Sequence, residues 1–351
     1  MMPTTLDGAT LEKLISAAVA APSFHNSQPW RFRLEPDTAT VLVRAAGERG
    51  LREADPLGRA LHVSVGAAVF NLRVAVAHFG WEPVVRLLPV PAQPDLLASV
   101  RLAGPSRSGG EHRADLYQAL WRRHSSHAPF SAHRPPGPVL AELADAAHSE
   151  GAKLYVPDVG ETQRILRLTS EAEQRGVTDP ARRTESRGWI REGARDGLTP
   201  LALGPRDAAG RLPMRDFSAL GPQNQLPAAV FEQQPLIAVL STAHDRRADW
   251  LRAGQALEHV LLVATAHRVR ASLLHQALEW PDLRWALRSA ESGPGHVQML
   301  VRLGYGPQGP ASPRMSATEV VEVMEGHHAP APGRAAPSTP GASPRTASSG
   351  R

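Results

Sequence analysis

The densest chemistry in this 351-residue chain lies at Arg122–Phe130, RRHSSHAPF, where cations, hydroxyls and imidazoles crowd one short stretch. An arginine there can offer a small anion charge-assisted, bidentate hydrogen bonds; a serine adds a hydroxyl donor, and the amides of the turn add to both. A histidine in the same turn donates one bond when neutral and carries full charge only when protonated, from a reference pKa of about 6.5. A solvated turn has the same composition, so this stretch alone leaves anion binding and solvation open. The loop Asn26–Trp30 likewise reads as a polar recognition loop or as a turn burying Trp30, with His25 beside it. No nucleophile or obligatory acid–base pair stands out. The histidine pairs His124/His127 and His327/His328 lack the carboxylate-rich partners of a metal site. The GYG at Gly304–Gly306 is too short for a dinucleotide motif. Cysteine is absent, which excludes disulfides, thiolate nucleophiles, Cys-ligated zinc and iron–sulfur clusters.

These groups need elements to hold them. Leu6 to Ala20 reads as a helix with Asp7 near its start, and Arg31–Leu34 with Thr40–Arg44 as a hairpin. Asp55–Pro56 signals a helix start, and apolar residues then recur at helical spacing from Leu57 to Phe79, where Gly80 stops them. Strand-like runs follow at Pro83–Val90 and Leu97–Leu102, then a loop at Pro105–Gly110 and a helix from Glu111 to Arg122. Val139–His148 and Thr162–Gln174 are helical, and Lys153–Val156 between them is a strand. From about Gly176 to Gln225 one helix, in TDPARRTESRGWIREG, precedes a Gly/Pro-rich passage of a length usual for functional covers or disorder. Regular structure resumes with a strand at Pro235–Leu240, a long helix from Asp249 to Arg268 and a strand at Ala271–Leu274. A short helix after Trp280–Pro281 and a strand at Val297–Leu303 complete it; from His327 the Pro/Ala/Ser/Gly tail is expected to be disordered. Val65–Pro83 and Ala253–Ala271 share a Gly-containing opening, a helical period and an exit into a strand. They read as a weak internal duplication or as two alanine-rich helices that look alike.

Composition narrows the function. Hydrophobic residues make up 42% and charged residues 21%, the mixture of a globular protein with a sizeable core. Lys plus Arg outnumber Asp plus Glu by 39 to 34, a formal charge of +5. The arginines are scattered rather than gathered into a stripe, so no nucleic-acid partner is expected. Leu14–Pro22 could pass for a short signal peptide, but Asp7 and Glu12 precede it where net positive charge belongs. No stretch is read as approaching the roughly 20 apolar residues of a membrane span. A cytoplasmic location without membrane contact is expected.

Several segments resemble one family. AAPSFHNSQPWRFRL, Ala20–Leu34, resembles the nitroreductase signature in which a helix ends at Pro-Ser and Asn-Ser-Gln-Pro-Trp leads into a strand. Asp55–Gly80, DPLGRALHVSVGAAVFNLRVAVAHFG, is similar to a paired motif of the Acg-type branch. RHSSH at Arg123–His127 is similar to the family's Arg-Arg/His-Ser-x-Arg/Lys phosphate motif, with His127 where Arg or Lys is usual. LLHQALEWPDLRWAL, MLVRLGYGP and SPRMSATEVVEV resemble the C-terminal part, so the likeness spans roughly residues 6–325.

The resemblance implies an α+β nitroreductase-like fold that holds FMN. In that family FMN lies between two subunits, the phosphate motif and a C-terminal Arg coming from one and the Pro-Ser-x-x-Asn loop from the other. Here the loop occurs only in the first half and the other two parts only in the second, as in a fused dimer. The implied lobes are 1–110 and 111–326, with a covering segment at 176–225 and a tail at 327–351. One FMN per monomeric chain follows. Arg123, Ser125 and His127 are implied phosphate ligands, with Arg314 as second cation. Pro22, Ser23 and Asn26 are implied to face the isoalloxazine, which offers carbonyls and an N–H, with His25 close by. His275 and Gln276 are implied near the reactive N5 region. The implied activity is NAD(P)H-dependent two-electron reduction of a nitroaromatic or quinone-like acceptor; the alternative is a flavin store with little turnover.

Overall fold

The computed structural model describes residues 6–105, 111–215, 217, 226–288 and 295–322. The expected loop at 106–110, the tail at 327–351 and part of the covering segment lie outside those residues.

The first half begins with α1 (Gly8–Val19), capped by the Asp7 carboxylate, which accepts the Thr10 N–H at 2.7 Å. Its apolar face, from Leu14 to Val19, turns into the core. β1 (Trp30–Glu35) and β2 (Thr40–Ala45) pair antiparallel, Trp30 opposite Ala45. The next helix starts later than Asp55–Pro56 suggests. A turn ends at Gly58 with φ 73°, and α2 (Arg59–His78) follows. Asp55 still serves it, its carboxylate accepting the Leu61 N–H at 2.9 Å. β3 (Trp81–Leu87) and β4 (Leu96–Pro105) close a four-stranded antiparallel sheet in the order β1-β2-β4-β3.

Among the described residues α2 is long and apolar enough to cross a membrane, with a mean hydropathy of 1.6, contrary to the sequence expectation. Of that stretch 83% is buried inside the fold, so its all-round apolarity belongs to a helix packed on every side.

The second half runs α3 (Glu111–Arg122), α4 (Gly137–Ser149), β5 (Lys153–Tyr155), α5 (Val159–Thr178) and α6 (Pro180–Gly188). Two short strands, β6 (Arg206–Asp207) and β7 (Ala228–Ala229), pair parallel across the irregular passage. Then come β8 (Leu236–Thr242), α7 (Arg247–Ala266), β9 (Arg270–Leu274), α8 (Pro281–Ala286) and β10 (His296–Gly304). The second sheet has the order β5-β8-β10-β9, all neighbours antiparallel. With α3, the stretch from α5 to β7, and α8 set aside, the second half repeats the first half's order of helix, strand, strand, long helix, strand, strand, and its sheet has the same spatial order.

The long helices α2 and α7 meet at paired glycines. A Cβ on Gly66 would collide with the Leu251 carbonyl and lie 3.0 Å from the Cα of Gly254. A Cβ on Gly254 would collide with the Val63 carbonyl and lie 2.8 Å from the Cα of Gly66. Leu251 and Val63 each stand three residues before their glycine, so the contact is reciprocal, as at a two-fold axis.

After β10 the chain crosses back to the first sheet. Val321 bridges Phe32 in parallel, the Glu322 N–H reaches the Phe32 carbonyl at 2.8 Å, and α9 (Ala317–Val320) sits between that anchor and Arg314.

Candidate functional site

A single cavity takes in all ten residues singled out from the sequence: Pro22, Ser23, His25, Asn26, Arg123, Ser125, His127, His275, Gln276 and Arg314. It encloses about 1070 Å³ of space free of protein atoms, its open mouth included. Val63, Ser64 and Ala67 of α2 and Leu257 of α7 contribute to its wall, beside the glycine crossing.

The loop after α1 is bent in an unusual way. His25, Asn26 and Gln28 all have positive φ, near 50°, a region that costs non-glycine residues about 1 kcal/mol or more each. Side-chain bonds hold it there. Ser23 Oγ accepts the Gln28 N–H at 3.0 Å, Ser64 Oγ accepts the Phe24 N–H at 3.3 Å, and Gln28 Oε1 accepts the Met315 N–H at 2.9 Å. Trp30 behind the loop is fully buried. Asn26 works as a tether: its Nδ2 donates to the Gly197 and Pro313 carbonyls, each at 2.9 Å, and its Oδ1 accepts from Arg314 Nη1 at 2.7 Å. Asn26 thus lines the cavity while its amide joins three chain segments.

The turn 123–127 lies along β9, where the Ser126 N–H reaches the Ala271 carbonyl at 2.9 Å. Arg123 is buried and Arg314 half-buried, and each donates from Nη2 to the Ala20 carbonyl, at 3.1 and 3.4 Å. Burial and the like charge of Arg123 bring Arg314 down to about 9, against the opposing pull of Glu258. His127 stands where the resembled motif carries Arg or Lys, and it brings no charge there. Burial, then Arg302 and His275, pushes it down to about 4, so its ring is neutral at pH 7 and sits 3.5 Å from Ser272 Oγ through Nδ1.

A second polar group gathers around His275. Burial raises Glu279, but Arg215 and His275 outweigh that and hold it at about 2. An ionised Glu279 fixes the imidazole tautomer: His275 Nδ1–H donates to Oε1 at 2.6 Å, leaving Nε2 as an acceptor. Arg215 pairs with the same carboxylate, and its 3.4 Å approach to His275 Nδ1 is then donor against donor. Burial first, and Arg215 next, keep His25 and His275 below the usual histidine range. Phe24 and His275 meet edge to face at 4.6 Å, and His25 touches both His275 and Phe217, at 5.7 and 5.8 Å.

Several buried polar atoms around this cavity have no hydrogen-bond partner among the described residues: both His25 ring nitrogens, Gln276 Oε1, and Nε of Arg123 and of Arg314. Leu198, Ala202, Met214, Arg215 and Phe217 from the irregular passage form part of the wall.

Sequence reasoning missed Arg215, Glu279, Ser64 and Glu258. Glu279 stands four residues after His275 and was legible as a local pair. Glu258 is the acid inside the apolar run of α7, itself a signal. Arg215 lies in an irregular passage with no pattern to mark it.

No family model matches the chain. A protein of Mycobacterium tuberculosis named "Putative NAD(P)H nitroreductase Rv3131" is 32% identical over 328 residues, 91% of this chain and 93% of that one. "Putative NAD(P)H nitroreductase acg" of the same organism is 28% identical over 338 residues, 93% of this chain and 100% of its own. Among solved structures, an FMN-bound nitroreductase from Desulfitobacterium hafniense DCB-2 aligns with a TM-score of 0.37 at 12% identity, covering 60% of this chain and 98% of that one. With near-full-length identity of this order to curated relatives, the chain belongs to the Acg-type, nitroreductase-like family.

Proposed function

We propose that the chain binds one FMN in this cavity and acts as a monomeric, NAD(P)H-dependent oxidoreductase of nitroreductase type, with nitroaromatic or quinone-like acceptors. The observation that carries this reading is the set of unpartnered buried polar atoms around the cavity. Such atoms are rare in a finished interior, and a ligand with a polar-edged ring and an anionic tail meets them. Arg123, Arg314 and Ser125 would hold the phosphate, the arginines by charge and the serine by its hydroxyl. Neutral His127 would add one hydrogen bond. Pro22, Ser23, His25, His275 and Gln276 would border the ring, with Asn26 holding the loop and Arg314 together. When bound, FMN supplies hydride acceptance and delivery, while the protein supplies position and electrostatics.

The two lobes, 1–110 and 111–326, read as a fused dimer. The repeated strand order and the reciprocal Gly66–Gly254 contact support this, and one loop, one phosphate turn and one terminal arginine make one complete site. The printed names of the relatives support NAD(P)H as electron donor.

One observation favours the alternative, a flavin store: Met214, Arg215 and Phe217 of the covering passage already form part of the wall. A donor must come within roughly 3–3.5 Å of the ring to pass hydride, so the cover has to open. Mixing the flavin-loaded protein with excess NADPH in a stopped-flow instrument should bleach the flavin slowly. Absence of bleaching at any NADPH concentration would favour the store.

A further inference from the structure

Behind Arg123 lies a carboxylate that the reading above does not use. Glu258 on α7 is fully buried, 3.4 Å from Arg123 Nε, and neither oxygen has a hydrogen-bond partner of normal geometry among the described residues. The groups that face it are Asn71 from α2, Arg123 at the end of α3 and Arg314 from the C-terminal segment. His124 lies next to the two arginines.

Packing does not require an acid there. The reciprocal glycines set an offset of 188 between α2 and α7 (254 minus 66), so the contact of Asn71 with Glu258 has its mirror in His259 with Phe70. That mirror contact is a stacked ring pair at 4.7 Å. On the other side of the axis the position of Glu258 is filled by Phe70, and the carboxylate on that side, Glu150, comes from outside the helix pair and is partnered by Arg73 and His259.

We propose that Glu258 regulates the charge of the phosphate subsite: FMN binding at Arg123 and Arg314 draws a proton from solvent onto the Glu258 carboxylate. The inference rests on the FMN reading above. Two guanidiniums and one carboxylate leave the buried cluster with one positive charge. A dianionic phosphate turns that into one negative charge, which is costly in a buried site. A proton on Glu258 restores neutrality: one O–H bond forms on the carboxylate as the buffer acid in solution gives up that proton. Burial already raises Glu258, against the pull of Arg123, to about 7, so the proton is loosely held before the phosphate arrives.

The sign follows from linkage. At pH 8 the free protein holds Glu258 mostly ionised, and the phosphate, with a second pKa of about 6, is already a dianion. Binding therefore consumes a proton, and affinity falls as pH rises above 7. His124 and His127 lie below 6.5 and are neutral in the free protein there, and Arg314 at about 9 is still mostly charged.

The test is titration calorimetry of FMN into the apoprotein at pH 8 in HEPES and in Tris, whose ionisation enthalpies differ. Wild type should take up roughly one proton per FMN, and its affinity should fall by up to about tenfold per pH unit between 7.5 and 8.5. Riboflavin, lacking the phosphate, should show neither effect. Glu258→Gln should lose most of the uptake and bind FMN more tightly at pH 8. FMN binding one-to-one with no buffer-dependent enthalpy overturns the proposal and leaves the FMN reading intact. Equal uptake with riboflavin, or in Glu258→Gln, assigns the proton elsewhere and also overturns it. Failure of the wild type to bind FMN removes both. Should Glu258→Gln not fold, the comparison of FMN with riboflavin in the wild type decides.

Discussion

At the scale of single residues, FMN affinity is proposed to rest on two guanidiniums of the cavity, Arg123, which is buried, and Arg314, which is half-buried. Arg123→Ala should weaken FMN binding by about tenfold to a hundredfold, the loss of roughly 1.5–3 kcal/mol for a charge-assisted bond. Arg247→Ala is the control. That guanidinium donates to His62 Nε2 at 2.9 Å and to the Pro94 carbonyl, and its loss should leave FMN affinity within twofold. Fluorescence titration of both apoproteins reads the difference, and equal affinities in wild type and Arg123→Ala would locate the phosphate elsewhere. Arg123, Ser125 and Arg314 were legible because motifs mark them. The tether role of Asn26 was not, since its partners Gly197, Pro313 and Arg314 are 171, 287 and 288 residues away along the chain. The neutrality of His127 was equally hidden, because it arises from burial and from Arg302 on a distant strand.

At the scale of elements, the decisive piece is the covering passage. Trp189, Leu203, Met214 and Phe217 are buried, and Leu203 and Phe217 join Leu226 in a small apolar cluster of their own. The passage meets the 123–127 turn at Gly204. Its φ is 72°, and a Cβ there would sit 2.5 Å from the His127 Cβ and 3.0 Å from the His127 carbonyl oxygen. Gly204→Ala meets both a strained backbone region and a collision. It should loosen the cover and raise the rate of flavin bleaching by NADPH several-fold with FMN still bound. An unchanged rate would show that the passage does not gate the ring. Most helices and strands were readable from sequence, because their periods and caps are local. The start of α2 was misplaced because Asp55 serves it from outside, through a side-chain bond to Leu61 rather than as the residue before the first turn.

At the scale of the whole molecule, the chain is proposed to fold around an internal two-fold axis with one complete site, an axis supported by the reciprocal glycine contact. The axis runs through a crossing with no room for a side chain. Gly66→Ala should destabilise the protein by at least about 2 kcal/mol, through overpacking of backbone against backbone, and thermal unfolding in matched buffer measures it. An unshifted midpoint would mean that the helices do not meet as described. The sequence hinted at the duplication in two helices; the strand orders β1-β2-β4-β3 and β5-β8-β10-β9 needed the fold. The position related by the axis to the cavity is filled. Arg73 binds Glu150 at 2.5 Å and Gln255 at 2.9 Å, and Phe70 stacks on His259. Among the described residues these contacts occupy that position, in keeping with the proposal of one cofactor. The stoichiometry of FMN in the purified protein, taken from its visible spectrum against protein concentration, therefore tests the account most directly. The account predicts a yellow protein with about one FMN per chain; a value near two, or a colourless protein that takes up no added FMN, would contradict it.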